Sequence, residues 1–235
     1  MPFVASLNDI YYYIKDLVNN YNPYEFSVNP SECKALIHYA KHSRLEFAIN
    51  KTQSRFKARQ SFHNLINRDF LKLELNNDFL VYKRFSPQNK VIFKSNYTRF
   101  YFYFLKPLEK IILNDKELAF NLICKQLSEY LSYIYEQIAK QWCENYFKIA
   151  GVQSIWGKDY ECDLFYQDYD LCLLGEVKFK GKKMCLSDYS RLQNKAKYLG
   201  LDPTHFILFS KSGFSKKLLN LKDDRLILAN HESFD

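Results

Sequence analysis

The spacing of apolar and polar positions changes several times along the chain, and the changes mark out its elements. Residues 7–19 (LNDIYYYIKDLVN) and 31–42 (SECKALIHYAKH) repeat at helical spacing, with Asn29 and Pro30 as the break between them. A third helix is predicted over 54–68, where Phe62, Leu65 and Ile66 form one apolar stripe. Two short runs follow, FLKLEL at 70–75 and FLVYKR at 79–84, and Asn76, Asn77 and Asp78 between them signal a hairpin. Three helices followed by a hairpin predict an N-terminal winged helix-turn-helix over residues 1–90.

A short strand at 91–94 and helical patterns at 97–113 and 117–147 come next. In the longest of these, Ile123, Leu127, Leu131, Ile134, Ile138 and Trp142 make a continuous apolar stripe. The opposite face carries Ser132, Glu136, Ala139, Cys143 and Phe147, so the helix is expected to pack on both sides, with Glu136 as the one carboxylate on a buried face. From residue 151 the pattern turns to α/β. Strands are predicted at 160–166 and 171–179, then a helix at 187–199 capped by Ser187 and stopped by Gly200, a buried strand at 205–210, a short helix at 214–221 and a last strand at 226–229. The expected fold class is therefore α+β or α/β: the winged helix, a helical connector over 91–125, and a mixed sheet flanked by helices over 126–235.

Charge sharpens this division. The chain has 34 Lys+Arg against 26 Asp+Glu, and its first 100 residues hold 15 of the former and 8 of the latter. No acidic residue lies between Glu46 and Asp69, while Lys51, Arg55, Lys57 and Arg59 fall there, interleaved with hydrogen-bonding residues such as Gln60 and Asn64. This is the composition of a recognition helix, with cations for phosphates and amides for base edges, so DNA is the expected partner. A basic face used only for protein contacts is the alternative. With 47% apolar residues the chain can bury a core, which excludes disorder as its overall state. Its six cysteines form no CxxC pair and read as reduced core residues. The longest apolar run, 100–105, is far short of the roughly 20 residues of a membrane span, and a cytoplasmic location with no membrane partner is expected. No GxxxxGK loop is present, so no nucleotide cofactor is expected, and His38 with His42 lacks the Glu that a zinc protease needs between them.

The sharpest chemical feature is Asp163 on one predicted strand and Gly175-Glu176-Val177-Lys178 on the next. Alternation puts Glu176 and Lys178 on one face. A turn centred between Tyr169 and Asp170 would set Asp163 opposite Glu176, and two like charges so placed destabilise a sheet unless something positive joins them. Oxygen ligands without paired His or Cys favour Mg²⁺ or Mn²⁺ over zinc. Lys178 could then orient a metal-bound water for attack on a phosphodiester. An ordinary exposed Glu/Lys pair is the alternative, but Leu171 to Leu174 makes the second strand too apolar for an exposed edge.

Six ordered pieces carry a resemblance. They are Ile92-Phe93-Lys94-Ser95-Asn96 leading into Arg99–Phe104 (RFYFYF), Tyr135-Glu136, Ile155-Trp156-Gly157, Glu161-Cys162-Asp163, Leu174–Lys178 (LGEVK) and Phe209–Phe214 (FSKSGF). Together they resemble the C-terminal region of archaeal-type AAA+ ATPases, a winged helix followed by a restriction-endonuclease-like domain of the PD-(D/E)XK superfamily, here without the ATPase. The resemblance implies a metal-dependent DNA endonuclease with Glu136, Asp163, Glu176 and Lys178 as catalytic residues. Asp163, Glu176 and Glu136 would hold Mg²⁺ or Mn²⁺, and Lys178 would position the water. The runner-up is an inactive nuclease-fold protein that binds DNA as a regulator or as the partner of a separate ATPase. Double-strand cutting by such folds usually takes two sites, which makes a homodimer a further candidate partner.

Overall fold

The structure, a computed structural model, describes residues 7–43, 55–74, 89–157, 159–230 and 233. It divides into two compact units, residues 6–126 and 127–235. Among the described residues no helix is long and apolar enough to cross a membrane.

The first unit begins with α1 (Leu7–Asn19), α2 (Pro30–Lys41) and α3 (Arg55–Asn67). Asn29 caps α2 in a reciprocal box: its side chain accepts from the Glu32 N–H, and the Glu32 carboxylate accepts from the Asn29 N–H. Glu32 is buried and also takes hydrogen bonds from Asn64 and Arg68, which ties α2 to the end of α3. Strand β1 (Leu71–Glu74) pairs antiparallel with β2 (Lys90–Phe93), with Leu71 opposite Phe93. This pairing joins the segment from residue 91 onward to the helices before it in one unit. The second hairpin strand expected at 79–84 lies outside the described residues.

The helix expected over 97–113 is divided. It forms as α4 (Asn96–Phe100), a π-helical turn at Tyr101–Leu105 and α5 (Glu109–Asn114). All five residues of the π turn are buried, and the Lys106 N–H reaches the Tyr101 carbonyl, five residues back. A regular α-helix buries one stripe, whereas five consecutive bulky residues here must all leave water. Phe26 packs against Tyr97, Tyr101 and Phe102 from the α1–α2 connection.

Helix α6 (Lys116–Phe147) begins in the first unit and continues into the second. The second unit is a five-stranded mixed sheet in the order β3 (Gln153–Trp156), β4 (Glu161–Gln167), β5 (Cys172–Lys178), β6 (His205–Ser210), β7 (Leu226–Ala229). Strands β3, β4 and β5 are antiparallel neighbours, and β5, β6 and β7 are parallel. Strand β3, for which hydropathy predicts no strand, forms the sheet's antiparallel edge. On one face Tyr135, Ala139, Trp142 and Cys143 of α6 pack with Leu164, Leu173, Ile207 and Phe209. The sheet-facing side of α6 draws on both expected faces, with Trp142 and Ile138 from the main stripe and Ala139 and Cys143 from the face opposite it, while Leu131 and Ile134 are half-buried. On the other face lie α7 (Leu186–Leu199) and α8 (Lys216–Leu219), with Tyr189, Leu192, Ala196 and Leu218 against Phe165, Leu174, Phe206 and Leu208. Helix α7 starts one residue before the expected position, with Cys185 rather than Ser187 as its cap, and Gly200 ends it at φ 66°.

Central strand β5 leaves no room at Gly175. A Cβ there would lie 2.8 Å from Leu164 Cδ1 and 2.9 Å from the Ile207 carbonyl oxygen. The second contact is backbone and has nowhere to go. Gly175→Ala is therefore expected to lower the unfolding free energy by about 1–3 kcal/mol in a denaturant titration. An unchanged midpoint would show that β4 and β6 do not press on β5 as described.

Candidate functional site

The site begins at the β4–β5 turn. Asp168 Oδ1 accepts from the N–H groups of Asp170 and Leu171, at 2.9 and 2.8 Å, and its own N–H donates to the Leu171 carbonyl. These bonds fix Tyr169-Asp170 as the loop and set Leu164 opposite Gly175. The paired ladder ends there; Asp163 comes next on β4 and Glu176 next on β5, and the Glu176 charge acts on the Asp163 carboxyl.

At that step β4 carries an extra residue. Gln153 faces Phe165 while Ile155 faces Cys162, so three steps on β4 span two on β3. The bulge explains why Cys162 and Phe165 both enter the core on the α7 side, which plain alternation forbids. It also re-aims Asp163, whose Oδ2 accepts the Val177 N–H at 2.8 Å. The carboxylate thereby ties β4 to β5 where the backbone ladder has ended.

Glu176 and Lys178 face α7, and each finds an opposite charge there. Lys195 Nζ donates to Glu176 Oε2 at 2.7 Å and to the Glu161 carbonyl at 2.6 Å. Lys178 pairs with Asp188, which also pairs with Arg191 and accepts the Cys185 N–H at 2.8 Å. Asp188 and Lys195 are seven residues apart, two helical turns, so the one helix answers both strand charges.

The electrostatics of the two acids differ. Burial, then the Glu176 charge, pushes the Asp163 carboxyl up to about 6, against the pull of the Val177 N–H. Burial also raises Asp188, but hydrogen bonds from Lys178 and Cys185 outweigh it and hold that carboxyl at about 2. Burial alone would lower Lys195; its bond to Glu176 and that charge raise it above the ordinary lysine value.

Of the residues expected to act together, Asp163, Glu176 and Lys178 are brought to one end of β4 and β5. Glu136 is half-buried on α6, whose Tyr135 and Ala139 pack beneath the opposite face of the sheet. Among the described residues no three His, Cys, Asp or Glu side chains are grouped so as to hold a metal ion. What the hairpin end offers a cation is two carboxylates and the Glu161 carbonyl. These are hard oxygen donors of the kind that suit Mg²⁺ or Mn²⁺, which commonly take one or two protein carboxylates and complete their shell with water or phosphate. The Lys195 ammonium already holds two of these groups, as a stand-in cation. Sequence reasoning missed Lys195 and Asp188. Their signal was the run Asp188, Arg191, Lys195 on one helix face, complementary to Lys178 and Glu176.

In the first unit, Lys57, Gln60 and Asn64 line a polar cleft of about 490 Å³ together with Asn29, Ser31, Ser61 and Lys34. Lys34, from α2, was not among the expected contacts. Arg59 is exposed beside these residues on α3, whereas Lys51 and the side chain of Arg55 lie outside the described residues. Asn64 already donates to Glu32 at 3.4 Å, so part of its hydrogen-bonding capacity is structural.

Residues 101–190 match DUF234. That family is described as archaeal and bacterial proteins of unknown function. The DUF234 match runs from the π-helical turn through Glu136, Asp163, Glu176, Lys178 and Asp188, and ends before Arg191 and Lys195. No curated protein and no solved structure matches the chain.

The raised Asp163 carboxyl gives a prediction with a definite sign. Its folded-state value lies above the ordinary Asp value, so its ionisation costs the fold. The cost is absent below pH 4 and grows to its full size as pH rises through about 6. Asp163→Asn keeps an oxygen for the Val177 N–H. It is expected to stabilise the protein by on the order of 1–3 kcal/mol at pH 8 and by almost nothing at pH 4, in urea denaturation. Equal effects at both pH values would remove the charge explanation.

Proposed function

We propose that this chain is a metal-dependent nuclease of the PD-(D/E)XK type, in which the first unit, read as a winged helix, holds DNA and the second hydrolyses a phosphodiester. The observation that carries the reading is the convergence of Asp163, Glu176 and Lys178 at the C-terminal end of the central strand. A purely structural hairpin gains nothing from opposing two acids there. Asp163 and Glu176 would hold Mg²⁺ or Mn²⁺, which supplies Lewis acidity and a more acidic water when bound. Lys178, held by Asp188, would help position the attacking water. Glu136 is assigned by resemblance alone, as a ligand or water-orienting group. The pairing of DUF234 with a five-stranded mixed sheet flanked by helices is consistent with the restriction-endonuclease-like fold.

Plasmid and single-stranded DNA, each incubated with Mg²⁺ or Mn²⁺, test the reading. Cleavage is expected, and Glu176→Ala and Lys178→Ala should each lower its rate by at least about 100-fold. No cleavage under any of these conditions, or cleavage indifferent to both substitutions, would refute the assignment.

A second reading has its own support: Glu176 and Lys178 are both engaged in ion pairs, and among the described residues no three His, Cys, Asp or Glu side chains are grouped so as to hold a metal ion. In that reading the chain binds DNA without cutting it, as a regulator or as the partner of a separate ATPase. Either reading predicts salt-dependent DNA binding through the α2–α3 cleft. Replacing Lys34, Lys57 and Arg59 together by Gln should flatten the log–log salt dependence by about 2–3 in slope. An unchanged gel shift would mean that the cleft does not meet the phosphate backbone.

A further inference from the structure

We propose that Lys195 is the built-in counter-cation of the Asp163–Glu176 pair, and that a divalent ion enters the site by displacing it. This inference rests on the metal-dependent reading above and adds a means of regulation: the site is closed by its own ammonium until metal competes it away.

The ammonium lies 2.7 Å from Glu176 Oε2 and 2.6 Å from the Glu161 carbonyl oxygen, both among the oxygens a metal would use. The Lys195 and Glu176 side chains are each about one quarter exposed, 27%, so their pairing is less screened than a surface salt bridge. The two other nearby cations, Lys178 and Arg191, both pair with Asp188. Compensation of the acid pair therefore falls to Lys195, whose charge also acts on Asp163. An ammonium and a divalent ion cannot both occupy the same oxygens. Neighbouring Arg191, Asn194 and Glu161 are exposed, so a change of rotamer takes the Lys195 side chain toward water.

A resident lysine predicts an outcome opposite to that of a helper. A lysine that assists metal binding through the substrate would leave metal affinity unchanged or weaken it when removed. A competing lysine strengthens metal binding when removed. Mn²⁺ binding to the full chain, without DNA, should be followed by isothermal titration calorimetry and by the Mn²⁺-induced shift in Tm. The proteins to compare are the natural chain, Lys195→Met, Lys195→Gln and Glu176→Gln. Lys195→Gln keeps an amide donor for both oxygens and guards against misfolding of the Met variant. Both Lys195 variants should bind Mn²⁺ about tenfold more tightly or better, with a lower metal-free Tm and a larger shift on adding Mn²⁺. Glu176→Gln should lose the binding.

Equal or weaker Mn²⁺ binding by the Lys195 variants, with Glu176→Gln still abolishing it, would overturn the displacement proposal and leave the metal site standing. Mn²⁺ binding unaffected by Glu176→Gln, or absent from every protein including the Lys195 variants, would overturn both. Binding that appears only when Lys195 is removed supports the proposal in its strongest form.

Discussion

Two carboxylates whose charges act on each other at the end of a hairpin are the constraint around which the second unit is arranged. Burial, and then the Glu176 charge, raise the Asp163 carboxyl to about 6. The surrounding structure answers the charges there in three ways. The β4 bulge turns Asp163 onto the Val177 N–H, so that its charge has a donor. Helix α7 brings Lys195 to Glu176. The same helix brings Asp188 to Lys178. A domain selected for stability alone would place Leu or Val at these positions, as the preceding residues of β5 do. Local rules broken at one place and compensated all round it are the physical ground on which a functional site is proposed here.

Much of this was legible in the sequence, and the reasons are specific. Asp168 caps its own turn, so the loop could be placed at Tyr169-Asp170 and the register followed from counting. Strands β6 and β7 carry short apolar runs between clear breaks and form at the positions read. The partners on α7 were not legible, because a helix face meets a strand only through tertiary packing. Asp188 and Lys195 looked like ordinary surface charges until the strand opposite them was known. The orientation of α6 was not legible either: its two faces are both apolar, and hydropathy alone does not say which meets the sheet. The buried π turn at Tyr101–Leu105 shows the limit of periodicity, since a run that is apolar all round has no stripe to read.

The charge distribution also takes on a clearer meaning. The basic excess of the first 100 residues reappears in part as a cleft where α2 and α3 together present Lys34 and Lys57 among hydroxyls and amides. The second unit is nearly neutral by count, yet its charges are ordered: acid opposite lysine, twice, along one strand and one helix. Net charge therefore understates what each unit can recognise. The first offers a distributed cationic surface, and the second an acidic pair already holding a cation of its own.

The most direct test of this account is a crystal structure of the chain soaked in Mn²⁺, with data collected for anomalous scattering. The account predicts an anomalous peak between Asp163 and Glu176, with the Lys195 side chain turned away from Glu176. A site without a peak, or a Lys195 ammonium still bound to Glu176 at full Mn²⁺ occupancy elsewhere, would contradict it.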